Sequence, residues 1–91
     1  MTSVNFNFEG YGVVLYEFDA DTCDNAERLV HEEFDKWNPG ERCAKVILDG
    51  ERAVGTLERR SDYMWQLNRD ALSIHDNLYS VCEAARGLSN G

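Results

Sequence analysis

A single proline, two histidines and three cysteines stand among 91 residues. So little proline leaves no stiff extended linker. Three cysteines cannot all pair within one chain, and their wide spacing is not that of a disulfide-stapled secreted domain. Cys23, Cys43 and Cys82 are therefore expected to be small buried hydrophobes in a reducing interior. No apolar run approaches the length of about 18 residues that a membrane helix needs, the longest being stretches such as Val13–Tyr16. The opening residues, Met1–Phe6, lack the basic start and apolar core of a secretory signal, so a cytoplasmic location is expected.

Basic side chains are scarcest at the front of the chain. Residues 1–35 hold nine acids (Glu9, Glu17, Asp19, Asp21, Asp24, Glu27, Glu32, Glu33 and Asp35) against one base, Arg28. Residues 36–91 hold eight of each, so the whole net charge of −8 belongs to the first part. A field of that sign repels nucleic acid and anionic lipid and speeds encounter with a basic surface. The alternative is that the acidity only keeps the protein soluble.

What the chain does contain is enough to fold. Its 43% hydrophobic content, with two Trp, four Tyr and four Phe, lies in the globular range, and its length suits one domain over 1–91. Val4, Phe6 and Phe8 alternate with polar neighbours as in a half-buried strand, and Gly10-Tyr11-Gly12 leads into a second extended run from Val13 to Phe18. Because a strand follows it, the Gly-x-Gly is not read as a phosphate loop, which requires a helix there. Asp19, Asp21 and Thr22 offer capping oxygens for a first helix. On its projection Cys23, Ala26, Leu29, Val30, Phe34 and Trp37 share one face, with Asn38-Pro39-Gly40 as the stop. Glu33 projects into the apolar arc, where a lysine such as Lys45 would match it. Arg42–Leu48 and Glu51–Leu57, joined by Asp49-Gly50, read as a hairpin, with the facing register left open and Gly55 marking a bulge.

From Ser61 or Asp62 to Gly87 no breaker intervenes, and Met64, Leu67, Ala71, Ile74, Leu78, Val81 and Ala85 recur at intervals of three and four. The pattern predicts one helix of about 25 residues, ~37 Å long and longer than its sheet. Trp65, Leu72 and Tyr79 recur every seven residues on a neighbouring stripe, which the first helix or a second copy of the chain would cover. The expected fold is α+β: an antiparallel four-stranded sheet in the order β-β-α-β-β-α, both helices on one face. The other sheet face is left for a partner at Tyr16, Ile47 or Val54.

The pattern offers no reaction centre. No pair among Cys23, His31, Cys43, His75 and Cys82 has zinc-site spacing, and Asp19-x-Asp21-x-x-Asp24 lacks the glycine and terminal glutamate of a calcium loop. No catalysis, metal or cofactor is expected. Arg59-Arg60 reads as a solvated strand end. The leading expectation is an intracellular binding protein, a viral-type inhibitor and nucleic-acid mimic by analogy of composition. Its patch of Asp19, Asp21, Asp24, Glu27, Glu32 and Asp35 would engage a basic, nucleic-acid-binding surface of a partner protein. The alternative is a homodimeric regulatory or structural domain assembled through the long C-terminal helix at Trp65, Leu72 and Tyr79.

Overall fold

A computed structural model describes residues 3–16, 19–37, 43–48, 50–69 and 71–87. In chain order the elements are β1 (Val4–Phe8), β2 (Tyr11–Leu15), α1 (Ala20–Lys36), β3 (Cys43–Leu48), β4 (Arg52–Arg59), β5 (Trp65–Asn68), β6 (Leu72–His75) and α2 (Leu78–Gly87). The class is α+β with an antiparallel sheet, as expected. The sheet, however, has six strands, in the order β2-β1-β3-β4-β5-β6.

The β1–β2 hairpin turns at Glu9 and Gly10, both at positive φ (47° and 98°), the requirement of a type I′ turn. The Asn7 carboxamide steadies it by accepting from the Gly10 N–H at 2.9 Å. Residue Asp49, part of the second expected hairpin turn, lies outside the described residues, as do Asn38–Gly40; Gly50 takes the positive φ of 74° foreseen for it. Between β3 and β4 the register shifts at Val46/Ile47, leaving Val54 as the extra residue beside Gly55, so the bulge is where the glycine suggested.

The pairing also settles which residues share a face. Residues opposite one another across an antiparallel ladder point the same way. Val4, Phe6, Phe8, Leu15, Ala44, Val46, Leu57, Trp65 and Leu67 form the inner face. They make one buried cluster with Cys23, Ala26, Val30 and Phe34 of α1 and Leu78, Val81, Cys82 and Ala85 of α2. Both helices thus cover the same side. The aromatic centre is the contact of Phe34 with Phe8 and Trp65, ring centroids 5.2 and 5.4 Å apart.

The single long helix over 61–87 is not formed. Its first half is the β5–β6 hairpin, and α2 keeps only ten residues. Four-residue strands place just two residues each on the inner face, too few for alternation to stand out against a spurious period of three and four. The turn that separates β4 from β5 is made without glycine. Tyr63 takes the left-handed φ of 64°, with the Arg60 and Tyr63 N–H groups bonded to Met64 O and Arg60 O. Helix-forming residues such as Met64, Gln66, Leu67 and Ala71 are overruled because the sheet offers Trp65 and Leu67 complete burial. No helix among the described residues is long and apolar enough to cross a membrane.

Candidate functional site

The acidic segment folds into α1. Its N-cap is Asp19, whose Oδ1 accepts from the Thr22 N–H at 2.8 Å, and this bond holds the Asp19 carboxyl below its usual range. Facing solvent along the helix are Asp21, Asp24, Arg28, Glu32 and Asp35, spaced so that successive members lie near one another on one side. Asp21, Asp24 and Glu32 have no cation within ion-pair distance among the described residues. Arg28 stands between Asp24 and Glu32 without pairing with either.

Three other carboxylates of the segment are occupied. Glu27, expected to point outward, turns inward to the second helix: its Oε1 accepts from the Leu78 N–H at 2.5 Å, and its Oε2 lies 3.8 Å from His31 Nε2. An otherwise unbonded N–H in the first turn of α2 thereby gains an anionic acceptor from 51 residues away. Glu33 pairs with Lys36 at 3.0 Å and not with Lys45, which lies exposed on the opposite side of the sheet. Its second oxygen is buried without a hydrogen-bond partner.

Asp35 is bound by the first residue of the Arg59-Arg60 pair. Arg59 is no solvated strand end: 8% of its side chain is exposed, and it meets Asp35 at 2.6 Å and His31 Nδ1 at 3.2 Å. Its guanidinium lies 5.7 Å from the Phe34 centroid and 5.3 Å from that of Tyr63. His31 in turn lies against Trp65, the two rings tilted by 35° with centroids 4.6 Å apart. The i, i+4 spacing of His31 and Asp35 was legible as a shared helical side. What would meet it was not, because the strand that carries Arg59 is brought there only by the sheet. Arg60 does stay exposed, bonded to Asp62 at 3.2 Å.

Trp65, Leu72 and Tyr79 do not form a common stripe. Trp65 is fully buried on β5, Leu72 is exposed on the opposite face of β6, and Tyr79 is half-buried on α2. The cause is the replacement of the helix by a hairpin, and with it goes the seam of the proposed helix-mediated dimer. His75 and Cys82 likewise stand on different elements. His75 bridges two serines, with Ser73 Oγ 2.8 Å from Nε2 and Ser80 Oγ 2.8 Å from Nδ1, which ties β6 to the first turn of α2. Burial, aided by the charge of Arg69, holds the imidazole pKa below its ordinary value. With serines at both ring nitrogens, no carboxylate orients the imidazole as in a nucleophilic triad.

Cys23 and Cys82 are free, buried and hydrogen-bonded to one another between the helices, and burial pushes both thiols up, away from reactivity. The side chain of Cys43 lies outside the described residues. Among the described residues no three His, Cys, Asp or Glu side chains gather into a metal-binding set. Comparison with protein-family models, curated proteins and solved structures finds no match to any of them.

Proposed function

We propose that the chain is a binding protein, inhibitor-like in mode, whose α1 face engages a basic surface of a partner protein that would otherwise meet nucleic-acid phosphates. The observation that carries this reading is the exposure of Asp21, Asp24 and Glu32 on one side of α1 with no cation drawn to them from the rest of the described fold. Asp35 extends the face, its charge partly offset by Arg59. Glu27 and Asp19 belong to the scaffold beneath, since each completes a helix N-terminus.

Carboxylates that stabilise nothing internally remain available to an outside cation, and rim charges of this kind act chiefly through encounter rate and salt sensitivity. Capture from host extract, run in parallel with the wild type and with D21K/D24K/E32K as baits, tests this. Basic proteins should be retained by the wild type alone, released by rising salt and displaced by duplex DNA. Equal retention by both baits, or indifference to salt, would refute it. The reading assigns no reaction to the chain, and turnover in a hydrolase screen with and without Mg²⁺ would count against it.

A further inference from the structure

The helices leave one face of the sheet uncovered by any described element, and its composition is unlike the rest of the surface. Opposite pairing puts Asn7, Lys45, Thr56, Asn68 and Leu72 in one row across it, and Glu58, Gln66 and Ile74 in the next. Leu72 is 59% exposed and Ile74 40%. Two charges stand in these rows, Lys45 and Glu58, so this face is neutral while the chain as a whole carries −8. They lie on β3 and β4, the two central strands of the six.

Lys45 and Glu58 are diagonal neighbours, because Lys45 pairs with Thr56 and Cys43 with Glu58. Such neighbours are about 7–8 Å apart, and they form no ion pair with each other. Glu58 Oε2 accepts from Gln66 Nε2 at 3.0 Å and from Asn68 Nδ2 at 3.1 Å, which fixes the carboxylate and leaves Oε1 without a described partner. Lys45 is exposed and has no partner among the described residues.

We infer that this face is a docking surface for a second copy of the chain. A two-fold axis lying between two facing sheets, and crossing the Lys45–Glu58 line at right angles through its midpoint, sets each ammonium over the other copy's carboxylate. Both pairs form at once, as an isologous interface requires. This is also the face on which two chains of charge −8 meet without opposing their helical carboxylates. Layers stacked at about 10 Å put the two α1 helices ~30 Å apart, well beyond the Debye length at physiological salt. Six strands span only about 24 Å, and strands of four to eight residues run ~14–27 Å, so the contact is at the small end of specific interfaces and its dimer reversible.

Sedimentation equilibrium of the isolated protein from about 5 µM to 0.5 mM brackets the affinity range of such a contact. The weight-average mass should rise from one chain toward two. K45E and E58K should each weaken association at least tenfold by facing like charges. An equimolar mixture of the two variants, and the double variant K45E/E58K, should each return to within about threefold of wild type. L72D, at an exposed edge position, should weaken it without affecting folding, and stands in if E58K disturbs the Gln66–Asn68 network. A mass of one chain throughout, association unchanged in K45E and L72D, or no recovery in the mixture would overturn the inference. D21K/D24K/E32K should leave dimerisation intact, which separates this surface from the acidic one.

Discussion

Glu27 shows at the level of single residues how a surface charge on a helical wheel becomes a structural one. Its carboxylate serves the Leu78 N–H, so Glu27→Ala should destabilise the fold by about 1–2 kcal/mol, while Glu27→Gln, which keeps a carbonyl oxygen at that place, should recover part of the loss. Urea unfolding of the two variants checks this, and equal loss in both would show that only the charge matters. Gly55 is constrained differently: a Cβ there would fall on the Asn68 carbonyl oxygen of the neighbouring strand. Gly55→Ala must push β4 and β5 apart and should cost more than ~2 kcal/mol, seen as a lowered urea midpoint. The sequence marked Gly55 as a bulge but placed Glu27 on the solvent face. It could not distinguish a carboxylate facing solvent from one reaching α2, because the answer depends on an atom 51 residues away.

Among the elements, α2 is the most dependent on its surroundings. Ten residues are too few for a stable isolated helix, and this one is held by Asn77 Oδ1 on the Ser80 N–H at 2.8 Å, by Glu27 at its start and by Arg69 donating to Ala84 O near its end. His75 joins it to β6 in the neutral form. Because the folded pKa lies below the unfolded one, the unfolded chain binds more protons as pH falls. This contribution to stability is therefore whole above the ordinary histidine range near ~6.5 and declines below it. His75→Gln should flatten that part of the melting-temperature profile between about pH 7 and 5; an unchanged slope would assign it to other groups. The order β1-β2-α1-β3-β4 was legible because its turns carry glycine and its strands are five or more residues long. The β5–β6 pair was not, since its two four-residue strands are entered through a tyrosine in the left-handed region.

For the whole molecule, the fold separates an acidic helical layer from a neutral sheet face. If the α1 carboxylates serve binding and not stability, D24N/E32Q should melt at or above the wild-type temperature, and the wild type should gain stability as salt rises from ~10 to ~150 mM. Calorimetry at the two salt concentrations measures both. A marked fall in melting temperature for the double variant would instead place those charges in the scaffold.

Composition, charge placement and the α+β class follow from covalent sequence, because net charge is additive along the chain and alternation or capping is local. The number of strands, the inward turn of Glu27, the burial of Arg59 against Asp35 and the placement of Lys45 diagonal to Glu58 arose only in the assembled fold. Glu27 and Arg59 are placed by partners distant in sequence, and the extra hairpin forms because burial of Trp65 and Leu67 outweighs the helical preference of the residues around them.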